Sequence, residues 1–278
     1  MLAVPALPLS AGTYSVPMPQ LGYGVYKIPD DHARGSVLTA LELGYRSIDT
    51  ASLYENETGV GQALAETDVA RDDIFLTTKV WNDRQGYDET LASFDESSRR
   101  LRQHTVDLFL IHWPCPQRGL FVDTWRAVLR LREEGRVRVA GVSNFGTAHL
   151  QRLIDETGEA PAINQIELHP YLTQEPLRAF HAEHGIATEA WGPLARGGAL
   201  LADPVVVRIA EAHERTPAQI VLRWHMQSGH VAIPKSVTPA RMAQNLDIFD
   251  IELSEQEMAQ LDGLNRNERT GPDPDTMN

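Results

Sequence analysis

The chain has 278 residues, enough to bury a large core, and its 42% hydrophobic and 23% charged residues exclude a mainly disordered state. Its formal net charge of −13 argues against a nucleic-acid partner and against an anionic membrane surface, because both are bound by basic faces. A single cysteine, Cys115, excludes an intramolecular disulfide and favours a reducing, cytoplasmic compartment.

Short apolar segments alternate with segments of helical periodicity along the chain. Residues 1–10 lack a basic region, and no run of about 18 apolar residues follows, so we expect neither a signal peptide nor a membrane span. A small hairpin is predicted over residues 13–18. Eight strands are then predicted, each short and apolar on both faces, as in a buried parallel sheet. They cover residues 21–25, 47–49, 75–79, 106–112, 139–143, 163–167, 187–191 and 231–234.

Helices are predicted between these strands. They include residues 32–43, 58–65, 87–102, 122–134, 147–157 and 176–184. Thr216 with Gln219 and Ser254 with Glu257 have the spacing of capping boxes, the second before a last helix that ends near residue 264. Thr238, followed by a proline, predicts another helix start. The glycines at 44, 135, 158 and 185 suit the left-handed position after a helix.

Strand and helix alternate at about 30 residues per unit, which is the size of a βα repeat. Eight units predict an α/β fold, a (β/α)8 TIM barrel with a short N-terminal β-hairpin, as one domain over residues 1–278. Residues 265–278 form a polar C-terminal tail that either drapes over the site or is disordered. The alternative is a doubly wound sheet, but the turn at Gly22 and Gly24 lacks the third glycine of a dinucleotide-binding turn.

Chemistry-bearing residues stand where the predicted strands end, which is where the active sites of such barrels lie. Contact with solvent would explain one such residue, but seven strand ends in register favour a functional site. These residues are Asp49, Lys79, His112, Ser143, Asn144, Asn164, Gln165, Glu167, Trp191, Lys235 and Ser236. Only three of the 25 cationic residues are lysines, so the lysine at the end of the third strand is notable.

Asp49, Lys79, His112 and the nearby Tyr54 form a chemically meaningful set. A carboxylate keeps a neighbouring lysine charged, and a charged lysine favours the anionic form of a neighbouring tyrosine. We therefore expect Lys79 to lower the pKa of Tyr54 and make it a usable general acid. His112 could hydrogen-bond a substrate oxygen in its neutral or its charged form. The structural alternative is a buried Asp–Lys pair beside a satisfied tyrosine.

Several segments resemble the signatures of the aldo-keto reductases, in the expected order from about residue 21 to residue 264. They are GYRSIDTA at 44–51 with YENE at 54–57, VDLFLIHWP at 106–114, GVSNF at 141–145, NQIE at 164–167, and IPKSVTPAR at 233–241 with Asn245. The segments QLGYGV at 20–25, WNDR at 81–84 and WGPL at 191–194 look most like the bacterial 2,5-diketo-gluconate reductase branch.

The resemblance implies an NADPH-dependent reductase that transfers hydride to the carbonyl of small aldehydes, ketones or keto-sugar acids, on a barrel without a Rossmann domain. It implies that Tyr54 is the general acid, Lys79 tunes it, Asp49 holds Lys79 and His112 orients the carbonyl. It also implies which residues contact the cofactor. Those for the nicotinamide are Ser143, Asn144 and Gln165 at the carboxamide and Trp191 at the ring, with Gly192, Pro193 and Leu194 after it. Those for the 2′-phosphate are Lys235, Ser236 and Arg241, with Val237 and Thr238 between them, and those for the adenine are Gln244 and Asn245.

Three positions depart from the pattern common in the family. Trp191 stands in place of a tyrosine and keeps the stacking surface. Gly192 replaces a serine and removes one possible pyrophosphate contact. Gln244 replaces an acidic residue, and its side-chain oxygen can still accept a hydrogen bond from the adenine amino group.

The substrate is the least constrained feature of the sequence. Tyr26, Trp81 and Trp113 follow three of the strands and predict either an aromatic wall around the substrate mouth or ordinary packing. The segments 114–121 and 192–202 are short, which predicts an open mouth for small polar carbonyls. Lys27 is the candidate cation for a keto-acid substrate.

Two other kinds of function are compatible with the sequence. No cluster of His, Cys or Asp has the spacing of a metal site, so no metal is predicted. We expect a monomer. The main alternative is a non-catalytic NADPH-binding barrel that senses redox state, and a metal-free isomerase ranks last because Asp49 is committed to Lys79.

Overall fold

The computed structural model describes residues 4–278, which contain an antiparallel hairpin and an eight-stranded parallel sheet. The hairpin strands are β1 (Ala6–Ala11) and β2 (Tyr14–Pro19). The strands of the parallel sheet are β3 (Tyr23–Gly24), β4 (Ser47–Asp49), β5 (Phe75–Val80), β6 (Val106–Ile111), β7 (Val137–Ser143), β8 (Ile163–Glu167), β9 (Ala187–Trp191) and β10 (Val231–Ala232).

The parallel sheet closes on itself into a barrel. Its strands pair in chain order from β3 to β10, and a parallel bridge between Leu21 and Ala232 joins the two edges. At this seam the Gly22 amide donates to the carbonyl of Ala232 at 2.9 Å, and the Ala232 amide donates to the carbonyl of Gln20 at 2.8 Å. The predicted (β/α)8 barrel with its N-terminal hairpin is confirmed. The hairpin begins earlier than predicted, at Ala6.

Helices follow the strands along the described chain, and the boundaries of most differ from the predicted ones by a residue or two. They are α1 (Asp30–Leu43), α2 (Glu57–Glu66), α3 (Tyr87–Leu101), α4 (Phe121–Glu133), α5 (Thr147–Thr157), α6 (Glu175–Glu183), α7 (Gly198–Leu201), α8 (Pro204–Ala212), α9 (Pro217–Gln227), α10 (Pro239–Leu246) and α11 (Glu255–Asp262). Within residues 4–278, none of them has the length and apolar character needed to cross a bilayer.

The helix starts show which capping signals operate. The predicted capping boxes at Thr216 and Ser254 are both formed. Thr238 is the N-cap of α10 with a proline in the first turn, but its side chain makes no capping bond. Instead its amide donates to the hydroxyl of Ser236 at 3.2 Å.

The hairpin seals one end of the barrel. Leu9, Val16 and Met18 are buried in a cluster with Ile163 and Val231, which are the first residues of β8 and β10. The hairpin therefore covers the amino ends of the strands with apolar side chains. The opposite end, where the strands terminate, is left for the polar residues.

Candidate active site

Asp49, Lys79 and Tyr54 meet at the carboxyl ends of two neighbouring strands. Asp49 ends β4, Lys79 lies near the end of the adjacent β5, and Tyr54 ends a short helical turn after β4. The Lys79 ammonium donates to Asp49 Oδ1 at 2.6 Å, to the carbonyl of Thr50 at 3.0 Å and to the Tyr54 hydroxyl at 3.3 Å. The structure thus brings together the three residues that the sequence associates.

The Asp49–Lys79 ion pair is removed from solvent, since its side chains are 3% and 0% exposed. Burial disfavours the charged form of Lys79, but the charge of Asp49, its hydrogen bond and the nearby Tyr54 and Glu189 together outweigh this, so the pKa of Lys79 is raised. Removing one partner of such a buried pair destabilises a protein by about 3–5 kcal/mol, because the other charge is left uncompensated. The pair therefore keeps a positive charge fixed beside the Tyr54 hydroxyl.

The effect of Lys79 on Tyr54 differs from the expectation. Burial raises the pKa of Tyr54 to about 12, and the charge of Lys79 offsets only part of that increase. The prediction that this pKa falls below its ordinary value was wrong, because the cost of desolvating the phenolate exceeds the attraction of the lysine. Tyr54 consequently keeps its proton at neutral pH.

His112 stands against Tyr54 and Trp81, with ring centroids 5.7 Å and 5.0 Å away. Burial, and then the charge of Lys79, lowers the pKa of His112 well below its usual value. Of the two forms that the sequence leaves open, the neutral imidazole is therefore the one present at neutral pH. A neutral imidazole has one N–H to donate, which suits a carbonyl oxygen.

The aromatic residues do not contribute equally to the mouth of the site. Tyr26 packs on Tyr54 with ring centroids 4.9 Å apart and remains 49% exposed. Trp81 packs edge-on against His112. Trp113 is only 6% exposed, and its carbonyl accepts a hydrogen bond from Gln85. Tyr26 and Trp81 therefore offer a wall beside the reacting groups, whereas Trp113 is mainly packed.

Ser143, Asn144, Gln165 and Trp191 form one hydrogen-bonded group. Asn144 Nδ2 donates to the carbonyl of His112 at 2.9 Å and to the hydroxyl of Ser143 at 3.0 Å. Asn144 Oδ1 accepts from Trp191 Nε1 at 2.7 Å, and the Ser143 hydroxyl donates to the carbonyl of Gln165 at 2.9 Å. Asn144 adopts a φ of 63°, a left-handed conformation that asparagine tolerates well. The network fixes the edge of the Trp191 indole.

Gln165 connects this group to the buried ion pair. Its Nε2 donates to Asp49 Oδ2 at 2.8 Å and to Glu189 Oε2 at 2.9 Å. Glu189 lies on β9, and the sequence analysis missed it because it treated that strand as apolar. The available signal was a charged residue in the middle of a buried strand, which is costly unless it is paired or functional.

The C-terminal tail lies across the carboxyl end of the barrel. Glu167 Oε1 accepts hydrogen bonds from the amide and hydroxyl of Thr270 at 2.6 Å and 2.5 Å, and Glu167 Oε2 accepts from the Gly271 amide at 3.1 Å. Gly271 contacts Trp191 so closely that a Cβ at this position would collide with the indole ring. Of the two possibilities for the tail, the structure shows the draped one.

Two cations stand at the start of α10. Lys235 and Arg241 are exposed, and neither forms an ion pair within the described part of the chain. Between them Val237 and Thr238 are exposed, and the carbonyl of Ser236 accepts a hydrogen bond from Tyr23 at 2.6 Å. Lys27 lines the same groove as Lys235 and Val237, so this lysine lies beside the candidate phosphate site.

The remaining predicted cofactor contacts follow β9 or lie on α10. Gly192 has a φ of 58°, the carbonyl of Pro193 accepts a hydrogen bond from His225 at 3.2 Å, and Leu194 packs on the core. Gln244 is exposed and Asn245 is buried. Residues 4–278 contain no group of three or more His, Cys, Asp or Glu side chains placed to hold a metal ion.

Comparisons of the sequence and of the structure with known proteins identify the same group of relatives. The model of the Aldo/keto reductase family matches residues 8–266. An aldo-keto reductase from Mycolicibacterium smegmatis is 55% identical over 261 residues, which cover 94% of each chain. Methylglyoxal reductase DkgA from Yersinia pestis is 50% identical over 261 residues, again 94% of each chain. The crystal structure of a Gox0644 variant in complex with NADPH matches with a TM-score of 0.95 at 47% identity and covers both chains completely.

Proposed function

The chain belongs to the aldo/keto reductase family, and from this premise we propose that it is an NADPH-dependent reductase of small aldehydes, dicarbonyls and keto-sugar acids. The observation that carries the proposal is the contact of the Lys79 ammonium with both Asp49 and the Tyr54 hydroxyl, with His112 beside them. In this proposal Tyr54 is the proton donor, Lys79 is the fixed positive charge and His112 is the neutral hydrogen-bond donor.

The residues present fit the nicotinamide cofactor. Trp191 is half-buried at the end of β9, which leaves indole surface for stacking on a nicotinamide ring. Lys235 and Arg241 are unpaired within residues 4–278 of a chain of net charge −13, which is typical of an anion site rather than of general basicity. When bound, NADPH supplies a hydride from its nicotinamide ring, and the Gox0644 variant in complex with NADPH supports this assignment.

The side chains of the site supply the proton and stabilise the oxygen. His112 donates a hydrogen bond to the carbonyl oxygen of the substrate and orients it. As the carbonyl carbon accepts the hydride, Tyr54 transfers its hydroxyl proton to that oxygen, which gives the alcohol and leaves a phenolate. Lys79 stabilises the phenolate through its charge, and Asp49 holds Lys79 in place.

The shape of the mouth favours small substrates. Tyr26 and Trp81 flank Tyr54 and His112, and the C-terminal tail closes against Trp191. The short segments 114–121 and 192–202 and this compact aromatic wall suit a small carbonyl better than a steroid. The relatives named methylglyoxal reductase support a dicarbonyl substrate.

A panel of carbonyl compounds tests this function through the loss of NADPH absorbance. We expect turnover with small dicarbonyls, aldehydes and sugar-derived keto acids, and little turnover with steroid ketones, because the short segments 114–121 and 192–202 offer little surface to bind a bulky ring system. Reactions without carbonyl compound control for spontaneous oxidation. Tight NADPH binding without turnover of any compound would instead support the redox-sensing alternative, and a preference for steroids would show that the pocket has been misjudged.

A further inference from the structure

Glu189 is a fully buried carboxyl group that the mechanism above does not use. It lies at the centre of β9, and its Oε2 accepts a hydrogen bond from Gln165 Nε2 at 2.9 Å. The same nitrogen donates to Asp49 Oδ2 at 2.8 Å. Within the described residues, Glu189 Oε1 is buried and has no hydrogen-bond partner. Hydrogen bonds from the side-chain amide of Gln165 therefore connect Glu189 to the ion pair of the active site.

The charges around Glu189 do not balance if it is ionised. The titratable groups that face it are Asp49 on β4 and Lys79 on β5. Its neighbours in register on β8 and β10 are Gln165 and Val231, which do not titrate. The helix on the outer side, α6, carries His181, which bonds to the hydroxyl of Thr188 instead.

Lys79 is already engaged with Asp49, the Thr50 carbonyl and Tyr54. Two carboxylates would then share one cation, and a buried charge without its own partner is strongly disfavoured. The uncompensated group is Glu189, because no donor other than an amide hydrogen of Gln165 reaches it within residues 4–278.

We propose that Glu189 is a positioning residue that is kept as a neutral carboxylic acid and, together with Asp49, occupies both amide hydrogens of Gln165. A glutamine amide has two N–H donors, and both are then used by carboxyl oxygens. Gln165 can consequently meet the carboxamide of the nicotinamide ring only as an acceptor, through its Oε1. This last consequence rests on the proposed function, whereas the neutral state of Glu189 does not.

The electrostatic environment agrees with this assignment. Burial, and then the charge of Asp49, raises the pKa of Glu189 to about 8, although Gln165 and Lys79 lower it. The native state therefore holds a proton that the unfolded chain releases above its ordinary pKa of 4.5. The stability that the neutral form contributes is complete below pH 4.5 and is lost as the pH rises towards 8.

The first test uses Glu189→Gln in the protein without cofactor and follows its melting temperature from about pH 5 to pH 9. Because glutamine cannot ionise, the melting temperature of the variant should gain several degrees relative to wild type as the pH rises to about 8, and then level off. Glu167→Gln is the matched control, since it removes another buried carboxyl from the neighbouring strand.

The control should behave differently because the Glu167 carboxylate is held in its charged form. Burial alone would raise its pKa, but hydrogen bonds from His169, Thr270 and Gly271 outweigh this and lower it. The melting temperature of Glu167→Gln should therefore lie below that of wild type by an amount that stays constant over the same pH range. If the melting temperature of Glu189→Gln also differs from that of wild type by a constant amount, Glu189 is not a neutral carboxylic acid in the folded protein.

The second test measures the dissociation constant of NADPH by fluorescence. Glu189→Gln keeps an oxygen that accepts from Gln165 and should bind like wild type, whereas Glu189→Leu removes the acceptor and should bind roughly 2- to 10-fold more weakly. Equal affinities in all three proteins would contradict the positioning role. If wild type itself does not bind NADPH, the proposed function fails, while the melting experiment still decides the state of Glu189.

Discussion

Replacing Tyr54 with phenylalanine should lower kcat by about 10²–10⁴-fold, which is the usual contribution of a positioned general acid. The variant loses the hydroxyl that lies 3.3 Å from the Lys79 ammonium but keeps the ring that packs on Tyr26. The wall of the mouth and the cofactor contacts should remain, so the affinity for NADPH should stay close to the wild-type value. Steady-state kinetics and fluorescence titration measure the two effects separately.

Tyr14→Phe is the matched control for this change. Tyr14 is exposed on the hairpin at the opposite end of the barrel, and within residues 4–278 its hydroxyl donates a hydrogen bond to the carbonyl of Arg138 alone. The same loss of one oxygen should leave kcat unchanged there. Near-normal turnover of Tyr54→Phe would remove Tyr54 from its role as the acid.

Replacing Arg241 with alanine should weaken NADPH binding by about tenfold and leave NADH binding unaltered. A hydrogen bond to a charged group contributes about 1.5–3 kcal/mol, and the exposure of Arg241 places it at the lower end of that range. Since about 1.4 kcal/mol is a tenfold change in affinity, wild type should prefer NADPH to NADH by at least about tenfold. Dissociation constants for both cofactors, measured at one ionic strength, test this.

The control for Arg241 is Arg99→Ala on α3. Arg99 is also exposed and has no ion pair within residues 4–278, so this variant removes the same formal charge at a distance from the groove. If wild type binds the two cofactors equally, or if both variants lose NADPH affinity to the same extent, Lys235 and Arg241 do not form a site for the 2′-phosphate.

The barrel could be predicted because its strands are apolar on both faces and recur at a regular spacing. Strands β4, β8 and β9 have the predicted bounds. Strands β3 and β10, which meet at the seam, are shorter than the predicted 21–25 and 231–234. Their pairing depends on a bridge between Leu21 and Ala232, which are far apart in the sequence.

The sequence analysis names no helix over α8, in which Pro204 is followed by three consecutive valines that restrict side-chain rotamers in a helix and favour strands. In the structure, Asp203 accepts a hydrogen bond from the Val205 amide and caps the helix, and Val206 packs into the core. Capping and tertiary packing here override the local preference.

Site residues could be predicted where a charged side chain at the end of a predicted strand was enough to identify them. Asp49 and Lys79 were found in this way, and in the structure Lys79 Nζ lies 2.6 Å from Asp49 Oδ1. The direction of the Tyr54 pKa was not predictable, because the sequence identifies the nearby charge but not the degree of burial. The link from Glu189 to Asp49 through Gln165 was not predictable, because only the closed barrel brings these three strands together.

The measurement that tests the central claim most directly is the fate of the hydride. NADPH carrying deuterium at the transferable position of nicotinamide C4 is incubated with wild-type protein and a small dicarbonyl, and the product is analysed by mass spectrometry and NMR. If the protein reduces carbonyls by direct transfer beside Tyr54, the deuterium appears on the former carbonyl carbon in proportion to the NADPH consumed. NADPH that stays bound and unoxidised, or an alcohol product without deuterium on that carbon, would contradict the account.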